Sequence, residues 1–232
     1  MRNLLKRSGS EGFAVDREGL DNQNLELLLG FLLAEDSNCV DVGANEGRFL
    51  WHMSQRAPRG RHIAFEPVPH LAARLRELFP DAEVHEAAVG DTPAGDTRFV
   101  VVKNDPAYSG LREREYPEGY ESEEIRVRVE RLDDELPPDY VPALIKIDVE
   151  GAELGVLRGA AETIRRHRPV VVFEHGRGAS EYYGTTPEAI HDLVCGELGM
   201  RIFDMDATGP LSREQLAELF NTGARWNYFA RI

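Results

Sequence analysis

Asn38-Cys39-Val40-Asp41-Val42-Gly43-Ala44-Asn45-Glu46-Gly47 is the stretch on which the reading of this chain turns. A short apolar run ends in a glycine turn, and residues 47–56 then take on helical character. That is a buried strand passing into a helix through a loop whose glycine allows positive φ and close backbone approach to a ligand. Downstream, 61–66 reads as a second strand, 70–79 as a helix and 83–89 as a third strand. The rhythm resumes with a strand at 144–148, a helix over 152–167, a strand at 169–174 and a helix over 187–198. Alternation of this kind predicts a doubly wound α/β fold with a parallel sheet covered on both faces.

Two regions depart from the rhythm. Residues 97–102 and 125–130 read as strands, and the polar segment 104–124, with Tyr108, Ser109, Gly110, Tyr116, Gly119 and Tyr120, reads as a lid-like insertion between them. At the end, 200–205 and 225–232 read as strands joined by a helix near 212–220, a pair that could close the sheet edge in antiparallel fashion. Upstream, 20–34 reads as an amphipathic helix. The expected organisation is a helical extension over 1–36, packed on one domain spanning 37–232.

Composition narrows the class. The chain has 232 residues, 42% hydrophobic and 29% charged, which is ordinary for a globular protein. Forty-one acidic against 27 basic side chains give a net charge of −14, so nucleic acid is not the expected partner. Cys39 and Cys195 match neither a metal-ligand spacing nor a disulfide framework, which suits a reducing cytoplasm. The basic start lacks a following apolar region of signal-peptide length, and the apolar stretch 25–34 is too short to span a bilayer. A cytoplasmic protein without membrane attachment is expected.

The turn at Gly43 also discriminates between nucleotides. Glu66 ends the second strand 23 residues after Gly43, where a carboxylate meets ribose hydroxyls in this architecture. A dinucleotide fingerprint G-x-G-x-x-G would place glycines at 45 and 48, but Asn45 and Arg48 stand there. S-adenosylmethionine carries no phosphate for a helix N-terminus and does carry an ammonium group, which suits Asp41, two residues before the glycine. It is therefore the expected cofactor, ahead of NAD.

Asp41-Val42-Gly43-Ala44-Asn45-Glu46-Gly47, Ala64-Phe65-Glu66-Pro67-Val68-Pro69 and Lys146-Ile147-Asp148-Val149-Glu150-Gly151-Ala152-Glu153, the last followed by Val156-Leu157-Arg158-Gly159-Ala160, resemble, in order, the motifs of the FkbM family of methyltransferases. Arg131-Leu132-Asp133 and the run 169–174 fall in the same order, and the resemblance covers about 39–232. It implies a Rossmann-like seven-stranded class I methyltransferase sheet with the last strand antiparallel. It also implies methyl transfer to a hydroxyl of a sugar or other small natural product. Carried onto this sequence, it places Asp41, Gly43, Asn45 and Gly47 along the methionine part of the donor and Glu66 on its ribose. Ala87 and Ala88 would lie beside adenine, and Ala44, Pro67 and Asp148 complete the expected donor site.

Strand ends at the switch point supply the candidate catalytic groups: Asp148, Glu150, Glu174 and His175. An alcohol acceptor must lose a proton, and His175, with an ordinary pKa near 6.5, is a natural base at neutral pH. The competing roles are structural: Glu150 and Glu153 could cap the helix that follows, and His175 could be a packed core residue. Asp148, Glu150 and Glu174 could also hold magnesium, but no Asp-Asn pair follows the fifth strand, so metal-free catalysis is expected. N-methylation and a non-catalytic donor-binding module are the alternatives.

Overall fold

The protein is described here by a computed structural model covering residues 16–116 and 118–232. The expected extension over 1–36 is therefore visible only from residue 16 onward. Seven strands form the main sheet in the order β3 (Glu83–His85), β2 (His62–Phe65), β1 (Asn38–Val42), β7 (Pro142–Ile147), β8 (Val170–Glu174), β10 (Asn227–Arg231) and β9 (Arg201–Asp204). The pairs among β1, β2, β3, β7 and β8 are parallel, and β10 runs antiparallel to both β8 and β9. This is the doubly wound class I methyltransferase architecture, with the antiparallel final strand in place. Chain order reverses between β1 and β7, so their carboxyl ends form the switch point where such sheets bind ligands.

Side chains alternate across the sheet. In β1, Val40 and Val42 enter the larger core with Ile145, Ile147, Val171 and Phe173, whereas Cys39 points to the opposite face with Leu144 and Val172. That second face is covered by α1 (Arg17–Leu32) through Leu25 and Leu29, and by Met53 of α2 (Arg48–Arg56). Asp16 caps α1 by accepting from Gly19 N at 3.1 Å. The helix is less cleanly amphipathic than its sequence suggests, because Leu27 and Phe31 stand in solvent at 61% and 89% exposure.

The break in the rhythm after residue 89 is a second sheet. β5 (Ala94–Val102) and β6 (Ser122–Glu130) form a long antiparallel hairpin, and β4 (Ala88–Val89) adds to β6 in parallel. Its apolar face, with Phe99, Val101 and Val127, packs on Val68 and on Leu71 of α3 (Pro69–Leu78). The single strand expected over 83–89 is thus two: β3 pairs in the main sheet, and the chain crosses at Glu86-Ala87 into the other. The helix expected over 152–167 is also two, α4 (Glu153–Gly159) and α5 (Ala161–His167). Gly159 lies so close to Gly90 that a Cβ would fall 2.2 Å from the Gly90 carbonyl oxygen, and the helix breaks at Ala160.

Candidate functional site

At the switch point the two strand ends touch. Gly43 has φ 78°, and a Cβ there would lie 1.8 Å from the Asp148 carbonyl oxygen, so only glycine lets the loops after β1 and β7 approach. A narrow cleft opens beside this contact, lined by Gly43, Asn45, Glu66, Pro67, Ala87 and Ala88, and ending at Asp148 and Glu150. Glu66 is buried, accepting from Asn45 N at 2.8 Å and from Val68 N at 2.9 Å. Burial pushes its carboxyl up to about 7, against the pull of those two N–H groups.

Beneath the cleft lies a charge pair set by strand register. Asp41 and Lys146 are directly paired positions of β1 and β7, both on the α1 face. The Lys146 ammonium stands 3.5 Å from Asp41 Oδ1 and 3.3 Å from Asp148 Oδ2, and 4.8 Å from the centre of the Phe49 ring. Burial works against its charge, but the two carboxylates outweigh it and raise its pKa. For Asp148 burial is likewise the largest influence, yet the ammonium and a hydrogen bond from Glu174 hold it below the usual aspartate range. Glu174 moves the opposite way, pushed well above the ordinary value by burial and by the neighbouring carboxylates of Asp148 and Glu150. Of the two, Glu174 therefore holds a proton more tightly than Asp148 does. Glu150 adopts φ 56° and meets Arg114 at 2.6 Å. Burial and the Asp148 charge push it up to about 8, against that guanidinium.

The turn carrying Glu150 is held by Glu153, which accepts from Gly151 N at 2.9 Å and from Val149 N at 3.3 Å. Gly151 has φ 106° and abuts Ala179, so a side chain there would collide with backbone. Glu153 therefore closes the turn, the structural role read for it in the sequence. Glu150 instead faces the cleft.

A second, wider cavity of about 610 Å³ opens on the α1 side of the sheet. Its walls come from α1, the ends of β7 and β8, Trp226 and Asn227 of the C-terminal segment, and the insertion through Tyr108, Arg114 and Glu115. Asp148 and Glu150 line both cavities, so the two spaces meet at those side chains. Arg114 holds the insertion over the junction: besides Glu150 it donates to the carbonyls of Tyr108 and Gly178 and lies over the Tyr108 ring. The hydroxyls of Tyr182 and Tyr183 accept from Glu115 N and Arg112 N, each at 3.1 Å.

Residues 41–201 match the methyltransferase FkbM domain. This chain belongs to the FkbM methyltransferase family. Its class of chemistry is accordingly S-adenosylmethionine-dependent methyl transfer. Among curated relatives, the 2-O-methyltransferase NoeI of Sinorhizobium fredii is 27% identical over 72% of this chain and 74% of its own length. Methyltransferase 1 of Beauveria bassiana is 31% identical over 54% and 59%, respectively. The AMB antimetabolite synthetase AmbE of Pseudomonas aeruginosa is 29% identical over 71% of this chain but only 10% of its own. The chain thus spans a tenth of AmbE and about three-fifths of Methyltransferase 1. The crystal structure of an FkbM methyltransferase from Methylobacillus flagellatus shares the fold at TM-score 0.51 and 19% identity, over 87% of this chain and 45% of that one. No helix among the described residues is long and apolar enough to cross a membrane.

On this FkbM scaffold the expected site residues separate into two groups. Gly43, Asn45, Glu66, Pro67, Ala87, Ala88 and Asp148 line the narrow cleft, and Asp148, Glu150 and Glu174 converge with carboxylate oxygens within 4.8 Å of one another. Asp41, Ala44 and Gly47 do not line it. Asp41 is fully buried under Lys146, Ala44 packs with Leu50, Ala64 and Leu75, and Gly47 caps α2 against Leu75 and Phe79.

His175 is the larger correction. Alternation puts Glu174 on the Lys146 face and sends the next residue to the other side of the sheet. There His175 is fully buried, stacked on Phe220 at 4.7 Å between ring centres, with Nδ1 3.1 Å from Ser180 Oγ. Burial lowers its pKa to about 4. It lines neither cavity, and the role of base facing the acceptor falls away. Two participants had no place in the sequence reading of the site. Lys146 was legible as a lone cation in an apolar strand, whereas nothing in the sequence of the insertion singled out Arg114.

Proposed function

We propose that this FkbM methyltransferase moves the methyl group of S-adenosylmethionine to a hydroxyl of a small-molecule or glycan acceptor, with Asp148 receiving the hydroxyl proton. The observation that carries this reading is the meeting of a narrow cleft and a wider cavity at one ionised carboxylate. Glu66 offers its free lone pairs to the donor ribose, and Ala87 and Ala88 present a flat apolar wall to adenine. Asp148 and Glu150 sit where a sulfonium would bring positive charge, and the bound donor supplies an electrophilic methyl there. The acceptor O–H bond breaks as the new O–C bond forms, the donor S–C pair returns to sulfur, and the proton goes to Asp148. The sulfonium charge and the carboxylate charge disappear together, so the low-dielectric site ends the step without an unpaired ion. Most of the rate then comes from alignment of acceptor and methyl.

Three clustered carboxylates invite an oxygen-preferring divalent cation. Each, however, already has a partner: Lys146 on Asp148, Arg114 on Glu150, and for Glu174 a hydrogen bond to Asp148 in surroundings that favour its neutral form. These residues suit an internally compensated site better than a metal site, and turnover is expected to survive EDTA followed by dialysis. Loss of activity restored only by magnesium or manganese would reverse that. The function itself is tested by S-adenosylhomocysteine release across a panel of hydroxylated metabolites and sugars. Exclusive turnover of amines would replace O- by N-methylation, and donor binding without turnover on any acceptor would leave a binding module. The 2-O-methyltransferase relative supports oxygen.

A further inference from the structure

Beneath the cleft, one ammonium stands between two carboxylates. Lys146 Nζ is 3.5 Å from Asp41 Oδ1 and 3.3 Å from Asp148 Oδ2. Strand geometry dictates the line: Asp41 opposes Lys146 across the β1–β7 register, and Asp148 follows Lys146 at the spacing that returns to the same face. The two carboxylates are not equivalent. Asp148 keeps 38% of its side chain open and lines both cavities, whereas Asp41 has no exposure and lines neither. Neither Asp41 oxygen has a well-formed hydrogen bond, and Lys146 is its one cationic partner among the described residues. A buried carboxylate so poorly supplied with donors is costly to keep, and its expected place along the donor does not account for it.

We propose, resting on the methyl-transfer reading above, that Asp41 and Lys146 are positioning residues of the transfer step. Lys146 keeps Asp148 as the carboxylate that takes the hydroxyl proton, and Asp41 keeps Lys146 paired once that proton has arrived. Before transfer, the sulfonium and Asp148 carry opposite charges, and Asp41 and Lys146 form a second opposite pair. As the O–H bond breaks and the proton moves to Asp148, the sulfonium becomes a neutral thioether. Without Asp41, the ammonium would then be buried with no carboxylate, a costly state. With Asp41, the pair stays neutral. Asp41 remains ionised only because Lys146 is there: burial pushes its carboxyl up, and the ammonium pulls it back. Around this line, α2 presents the Phe49 ring to the ammonium, and α1 presents Asp21, bound by Arg17, across the wider cavity. Glu66 lies on the donor side, Glu174 and Glu150 flank Asp148, Glu153 closes the turn and Arg114 binds Glu150. All of these are present in every variant below, so differences among the variants report Asp41 and Lys146.

The test reads the charge of Asp148 directly, by NMR titration of isotope-labelled aspartate carboxyls in the full chain with S-adenosylhomocysteine bound. Loss of one signal in Asp148→Asn identifies it. Lys146→Met should raise the Asp148 midpoint by about one to three pH units, the amount by which a cation at this range lowers a carboxylate. Asp41→Asn should lower it, because the ammonium then serves Asp148 alone. In the double variant the midpoint should match that of Lys146→Met, because Asp41 without its ammonium is neutral and acts on Asp148 only through Lys146. Calorimetry should find S-adenosylhomocysteine affinity unchanged in Asp41→Asn, which also reports that the variant is folded. An Asp148 midpoint unmoved by either single substitution, a further shift from Asp41→Asn in the absence of Lys146, or a large loss of S-adenosylhomocysteine affinity in folded Asp41→Asn would each overturn the proposal. If Lys146→Met does not fold, the direction of the shift in Asp41→Asn decides alone. Failure of S-adenosylhomocysteine to bind the unaltered chain would instead remove the methyl-transfer reading beneath it.

Discussion

The proposed donor site gives Glu66 two tasks, and a pair of substitutions separates them. Its oxygens already accept from Asn45 N and Val68 N, so the carboxylate ties the loop after β1 to the start of α3. Two further charge-assisted hydrogen bonds to ribose hydroxyls would together contribute about 1.5–3 kcal/mol, or roughly ten- to a hundredfold in affinity. Glu66→Ala removes both sets and strands two backbone donors, so some loss of thermal stability accompanies the loss of affinity. Glu66→Gln keeps the shape and one accepting oxygen, and should weaken donor binding by about tenfold with a smaller effect on stability. The pH dependence is the sharper readout. With the carboxyl at about 7 in the free protein, donor binding below that pH must first remove a proton. The dissociation constant should therefore rise about fivefold from pH 7 to pH 6, with proton release visible as buffer-dependent binding enthalpy. Glu66→Gln should flatten that slope. Calorimetry in two buffers would refute the reasoning if affinity is unchanged in both variants, or if the slope persists without the carboxylate.

Asp148→Asn keeps shape but removes the proton acceptor, and should cut turnover by about 10²- to 10⁴-fold with donor affinity shifted only severalfold; a variant retaining half its rate would send the search for a base to Glu150. His175→Ala should lower stability by about 2–3 kcal/mol through lost packing on Phe220, yet keep the rate and the acidic limb of the pH profile in the folded fraction. Loss of that limb would return the histidine to the chemistry. Burial raises Glu153 to about 7, so the folded protein holds this proton more tightly than the unfolded chain does. That stabilisation is complete below the unfolded value near 4.5 and disappears as pH rises through about 7, on the order of 2–3 kcal/mol. Melting temperature should therefore fall between pH 6 and pH 8, and the fall should be shallower in Glu153→Gln.

Much of this was written in the chain itself. Strand–helix alternation and the reversed final pair follow from local periodicity, which short-range sterics and burial dictate. Gly43, Glu66 and Asp148 stand at strand ends, and the parallel topology alone brings strand ends together. What escaped depended on contacts distant in sequence. Arg114 reaches Glu150 across 36 residues, from a segment whose local pattern gives no direction. The crossing at Glu86-Ala87 was hidden because 83–89 looks uniformly strand-like, and only pairing with β6 shows where it splits. His175 is a different kind of miss. Period two along β8 already opposes it to Glu174, and the chemical aptness of an imidazole says nothing about which face it takes.

That crossing makes one wall of the narrow cleft and the insertion parts of the same small sheet. β4 is joined to β6 through only two residue pairs, Ala88 with Val129 and Val89 with Glu130, and the hairpin that carries the insertion extends from there. Ala87 and Ala88, which line the narrow cleft, also stand where the chain passes from the larger sheet to the smaller. The insertion also lines the cleft directly, through Pro106, Ala107, Ser109 and Leu111, so one ligand there would bridge both ends of the smaller sheet. Amide protons of the hairpin should accordingly exchange more slowly once S-adenosylhomocysteine is bound, while those of β8 and β10 keep their pace.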